Sequence, residues 1–253
     1  MTRTQCSVEQ FRKAAACIRV IDAAGQPAGG IPVSIEQETH DFLFGCVVPD
    51  LSAFSGADRE RCRARLEDVF NHVVAAGSPP PAPGVFRVEL TERVHLGLLR
   101  LRLDDLAASS RSLEVYVHGA AVGMDDAAAT DERDTGARLA ELYTLCFAHP
   151  SLLGIIWHGL VDGQRGAQDG GLLRRDFSPK YAHKALQKLI GDCWHTRTTG
   201  VTDATGRFRF RGFFGTYRVA AKVGGSSALV ETISFHRDAQ DHEMTLQIAP
   251  QIT

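Results

Sequence analysis

The chain has 253 residues, 44% of them hydrophobic and 23% charged, enough apolar material for one large domain or two unequal ones and too much for global disorder. A formal net charge of -2 and a pI near 6.5 leave no overall field of either sign. That argues against nucleic acid or an anionic membrane as partner and for a neutral ligand.

From the start of the chain, Met1 to Ala16 mixes Arg3, Glu9, Arg12 and Lys13 with short apolar residues and holds no apolar run of the signal-peptide kind. No segment approaches membrane-spanning length, so a cytoplasmic location is expected. Cys17–Ile21 and Ile31–Ile35 flank the Gly/Pro loop Asp22–Pro27 and read as two adjacent strands. Phe42–Val48 is an apolar run followed by a helix over Arg59–Phe70, where Cys62, Leu66, Val69 and Phe70 fall in helical phase. Gly77–Gly84, with four prolines in eight residues, is an extended connector or a plain surface loop.

Val85–Leu90 and Leu113–Val117 are further apolar runs, the second preceding a helix that starts near Thr130 and carries Leu139, Leu142, Tyr143, Cys146 and Phe147 on one stripe. Leu152–Val161 precedes Ser178-Pro179, an N-cap with proline at the first helical position, then Ala182, Ala185, Leu186, Leu189 and Ile190 in phase. The order strand, helix, strand, helix with buried strands implies a parallel sheet. Val201–Gly206 then echoes Val20–Gly25. In Arg207–Arg211 the two phenylalanines share one face, and Arg207, Arg209 and Arg211 share the other, a solvated face or one for an anionic saccharide. Strands follow at Tyr217–Val223, Leu229–Phe235 and Glu243–Ile248.

Both ends are β-rich and the middle is α/β. The expected architecture is a small antiparallel β-sandwich built from 1–39 and 196–253, with a domain of about five parallel strands, 40–195, inserted into it. The six cysteines, Cys6, Cys17, Cys46, Cys62, Cys146 and Cys193, show no CxxC pair or zinc-finger spacing and read as reduced, mostly buried thiols. Glycines 163, 166, 170 and 171 lack the Lys-Ser/Thr ending of a phosphate loop, and no cofactor is expected.

His149–Asp162, with Ile155-Ile156-Trp157-His158-Gly159 at its centre, resembles the eighth barrel strand of family-10 glycoside hydrolases, the xylanases. Gly171-Leu172-Leu173, Pro179–Ala182 and Trp194-His195-Thr196 are similar to the rest of that family's last βα unit, and Gly212–Tyr217 resembles the sandwich strand many members carry. His40–Gly45 resembles the entry to the first barrel strand, and Phe70–Val74 the start of the second. Val85–Leu90 and Leu113–Val117 then resemble the sixth and seventh, and the third to fifth have no counterpart. The resemblance, over about two-thirds of the chain, implies a partial (β/α) barrel of strands six, seven, eight, one and two. Its open edges must close, be covered, or pair in a homodimer.

The family uses two glutamates, and the chemistry requires two carboxyl groups ~5 Å apart, one protonated and one ionised. Here the nucleophile's Thr-Glu positions hold His118-Gly119, and the acid/base Asn-Glu pair is missing. The expected function is therefore a degenerate, inactive endo-1,4-β-xylanase-like protein that retains binding to β-1,4-linked oligosaccharide through Trp157, His158 and Asp162, although a core role for Trp157 competes with this. Gly163-Gln164-Arg165 stands where the family's cleft-covering Trp is usual. One alternative is an active hydrolase with replaced carboxylates, for which Glu89 and Glu114 are the nearest; Glu114 alternates with Val115 and Val117 and so faces away from the chemistry. Another is a non-enzymatic scaffold. Glu89, His118, His158 and Asp162 fall near strand ends and could also form a new acid/base or metal cluster, without an HxH or HExxH signature. His40 and His149 read as structural.

Overall fold

The computed structural model describes residues 3–48, 54–75, 85–93, 95–109, 112–122, 124, 131–163, 170–223, 227–239 and 242–248. The proline connector, Gln164, Arg165 and Gly166 lie outside them. The chain divides into two compact units: Glu9–Asp41 with His195–Thr253, and Met1–Val8 with Phe42–Trp194. Among the described residues no helix is long and apolar enough to cross a membrane.

The first unit is a two-sheet sandwich. One sheet has the order β12 (Glu243–Gln247), β1 (Lys13–Ile21), β9 (Arg207–Phe213); the other has β11 (Ser227–Phe235), β10 (Gly215–Val223), β2 (Pro32–His40), β8 (Arg197–Val201). Alternate residues of both sheets, among them Ile18, Val20, Val33, Ile35, Tyr217, Val219, Ile233, Phe235 and Leu246, meet in one core.

Two expectations are corrected here. β1 and β2 are consecutive but lie in opposite sheets, so the loop between them is a crossover and not a hairpin. Its turn is held by the Asp22 carboxylate, which accepts from the N–H groups of Ala24 and Gln26, with Gly25 at φ +78. The sandwich is also mixed, because β1 pairs antiparallel with β9 but parallel with β12. β12 arrives from β11 in the other sheet, so no hairpin forces it to alternate in direction. Gly215, in the Gly212–Tyr217 motif, has φ +148, and an added Cβ would lie 1.9 Å from the Thr39 carbonyl oxygen, so no larger residue fits.

The second unit is built on a five-stranded parallel sheet in the order β4 (His72–Ala75), β3 (Leu43–Val48), β7 (Leu152–His158), β6 (Ser112–His118), β5 (Val85–Leu90). The outer edges of β4 and β5 pair with no strand among the described residues. The helices are α2 (Gly56–Glu67), α3 (Leu96–Ser109), α4 (Glu132–Ala148) and α5 (Tyr181–Leu186), the last continuing as a π-turn over Gln187–Cys193. One face of the sheet is packed under helix: Phe44, Cys46, Ile155 and Trp157 share it by register, and Phe44 stacks on Tyr143 of α4 and on Trp194.

Two helices were not foreseen. α1 (Arg3–Arg12) is polar, with Val8 its one buried apolar residue, and so has no apolar stripe to find. In α3, Leu99 and Leu103 are buried one turn apart while Leu98 and Leu101 are 67% and 61% exposed. Leucines on both sides blur the 3.6-residue period that marks a helix.

Candidate functional site

Successive side chains of a strand point to opposite faces, so the residues that do not pack under α4 define the sheet's second face. Its base is apolar: Val47, Tyr116 and Ile156 are buried together with Leu43 and Val74 against them. Register carries the rest. Glu89 lies opposite Tyr116, Arg87 opposite Glu114, and His118 opposite His158, so all six belong to one face across β5, β6 and β7.

Two linked groups form there. His118 Nε2 and the Glu89 carboxylate are 3.1 Å apart, with the two side chains 23% and 45% exposed. The His118 ring stacks on His158 at 4.2 Å between centroids and 19° between planes. Burial pushes the His158 pKa below the usual imidazole range, the facing His118 pushes it further, and Glu89 partly opposes both. His158 Nδ1 is buried without a hydrogen-bond partner among the described residues. Toward the other end of the strands, the Arg87 guanidinium lies 4.0 Å over the Tyr116 ring and donates to its hydroxyl at 3.0 Å. That hydroxyl is 3.5 Å from the Glu114 carboxylate. Burial and Glu114 raise the Tyr116 pKa against the pull of Arg87.

Glu114 thus shares the face of Glu89, contrary to the expectation from its alternation with valines. Val115 and Val117 are fully buried, which leaves the polar row of β6 for the second face. The two glutamates nevertheless serve different partners, His118 for one and Tyr116 for the other.

The remaining sequence candidates lie elsewhere. Trp157 is fully buried on the helix-covered face, where its indole N–H donates to the Gly159 carbonyl at 2.7 Å, so it offers no ring surface to a sugar. Asp162 is 2.8 Å from Lys180 Nζ and accepts the Gly171 N–H at 2.9 Å; with the two side chains 10% and 12% exposed, it is a tie within the loop after β7 and not a free ligand. His149 accepts from the Ser151 N–H through Nδ1 and reaches Asp104 through Nε2, a structural role. His40 Nδ1 is 3.2 Å from Gln37 Nε2. Arg207, Arg209 and Arg211 pair with Glu243, Asp203 and Glu9, each at 3.3 Å, and are not a free row for an acidic saccharide. Among the described residues no group of three or more His, Cys, Asp or Glu side chains is placed to hold a metal ion.

Sequence reasoning missed Arg87 and Tyr116. The signal was present: Glu114, Tyr116 and His118 alternate with Leu113, Val115 and Val117, and Arg87 and Glu89 alternate with Phe86, Val88 and Leu90. Two strands with a polar period of two, side by side, predict a polar face between them.

No family model matches the chain. Over 125 residues, 49% of its length, it is 32% identical to the anti-sigma-I factor RsgI6 of Acetivibrio thermocellus, and this stretch is 16% of that protein. Among solved structures it is similar to native xylanase 10B of Thermotoga maritima, at 12% identity and TM-score 0.31, over 57% of this chain and 45% of that one. Xylanase 10B of Thermotoga petrophila in complex with xylobiose matches over the same shares, at 10% identity and TM-score 0.29. The RrgB pilus backbone of Streptococcus pneumoniae matches 93% of this chain and 40% of its own, at 9% identity and TM-score 0.25. These are weak fold-level resemblances.

Proposed function

We propose that the chain is a xylanase-like module that recognises β-1,4-linked oligosaccharide without cleaving it. The observation that carries this reading is that the carboxylate of Glu89, the acid nearest the strand ends, has the imidazole of His118 as its partner at 3.1 Å. Glycoside cleavage needs one acid to protonate the leaving oxygen and another to attack or to activate water. Glu114 lies at 3.5 Å from the Tyr116 hydroxyl, a different partner from that of Glu89. What remains is a row of imidazole, carboxylate, phenol and guanidinium groups, donors and acceptors suited to sugar hydroxyls. Trp157 takes no part in this reading.

Titration calorimetry with xylo-oligosaccharide tests the proposal, run beside turnover of an aryl β-xyloside. Binding by wild type, about tenfold weaker in His118→Ala, with no turnover, is the expected result. Turnover abolished by Glu89→Gln would establish the active-hydrolase alternative, and no heat from any protein would end the binding claim.

A second reading, self-association through the sheet, is favoured by its edges. Val73 on β4 and Phe86 on β5 are 52% and 55% exposed on strands with no outer neighbour among the described residues. A dimeric mass by light scattering at micromolar concentration supports it, and a monomeric mass counts against it.

A further inference from the structure

In the same unit lies a cavity of about 350 Å³ lined by Arg93, His95, Ala121, Val122, Arg138 and Glu141. Arg93 and His95 belong to the loop between β5 and α3, Ala121 and Val122 to the 3-10 turn after β6, and Arg138 and Glu141 to α4. The cavity is thus built by the segments that leave the two strands carrying Glu89 and His118. In parallel α/β sheets that end is where ligands gather.

The charge of its described lining is unbalanced. Arg93 and Arg138 form no ion pair among the described residues, unlike Arg61, Arg63, Arg65 and Arg174, each of which has an acidic partner within 4.0 Å. Among the described lining residues, two guanidiniums thus accompany one carboxylate, Glu141, with His95 as a further donor. Two cations that line one cavity repel each other, and an anion between them reverses the sign. The fork of a guanidinium matches the paired oxygens of a carboxylate or phosphate. Ala121 and Val122, 2% and 3% exposed, supply an apolar wall. The volume lies at the low end of the roughly 300–1,000 Å³ of small-molecule sites, which suits one small molecule and not a polymer segment.

We propose that this cavity binds a small oxyanion, held between Arg93 and Arg138, whose source is either the carboxylate of a sugar acid or a phosphate group. The site goes beyond the recognition of neutral saccharide proposed above and stands without it.

The test is calorimetry on the full chain at low salt with three probes: D-glucuronate, inorganic phosphate and D-glucose. Binding of one or both anions, with none of glucose, and an affinity at least about tenfold lower in the double variant R93Q/R138Q, is the expected result. Glucuronate alone assigns the source to a sugar acid, and phosphate alone to a phosphate group. Both arginines are exposed, so the variant should melt at the wild-type temperature, which separates lost binding from lost fold. No heat from either anion at millimolar concentration, or undiminished binding in the double variant, overturns the site. Neutral xylotriose in a parallel cell reads the previous proposal separately: its binding without the anions removes only this inference, and the converse removes only that one.

Discussion

The two faces of the parallel sheet carry opposite chemistry on the same strands. Trp157 and His158 are neighbours in sequence, yet one is sealed under helix with its N–H satisfied and the other stacks on His118 in a polar row. The helix-covered face behaves as a core, where every side chain answers to packing. The second face keeps buried aliphatic residues at its base and polar groups that bond to each other. A substitution on the first face is therefore expected to cost stability, and one on the second to alter recognition and pH response while the fold survives.

The largest expected effect is from Trp157→Ala, which removes a fully buried indole and should lower unfolding stability by about 3–5 kcal/mol in chemical denaturation. A loss under 1 kcal/mol would erase the distinction between the faces. Next is Lys180→Met, which leaves the Asp162 carboxylate without its cation; about 3 kcal/mol is expected for a pair this enclosed, and Asp162→Asn with Lys180→Met together should cost less than the single change. Tyr116→Phe removes only the hydroxyl between Arg87 and Glu114, and about 1 kcal/mol is expected, with xylo-oligosaccharide affinity changing more than the melting temperature.

The smallest effect is in pH. Because the folded-state pKa of His158 is depressed, the unfolded chain binds more protons between that value and the ordinary imidazole value of 6.5, so stability rises with pH through this window and falls on acidification. His183, buried against the opposing influence of the Arg65 carbonyl, contributes with the same sign. His158→Gln should flatten part of the slope near pH 6, measured by thermal unfolding across pH, and an unchanged slope would remove His158 from the account.

Several elements were legible before any coordinates. The strand runs Phe42–Val48, Leu113–Val117 and Leu152–Val161, the apolar stripe of α4, and the β-rich ends were readable because one period of side chains dominated each. The spatial order of the five parallel strands also followed, through the resemblance of separate blocks. α3 was not legible, since leucines on two sides of a helix leave no clean stripe. The site is half legible: the sequence puts Glu89, His118 and His158 at strand ends, whereas Arg87 and Tyr116 gain meaning only from the pairing of β5 with β6, and of the two readings open for Trp157 burial favours the core.

What the sequence alone determined is which residues alternate and therefore which share a face, a property of backbone geometry that needs no neighbours. Which face would be covered was left to the tertiary structure. Both faces of β7 read as apolar up to His158, and only the arrival of α4 and Trp194 over Phe44 decides that the indole of Trp157 turns inward. Pairings follow the same rule: the bonds of Glu89 to His118 and of Asp162 to Lys180 join residues 29 and 18 positions apart, and only folding brings such groups within reach.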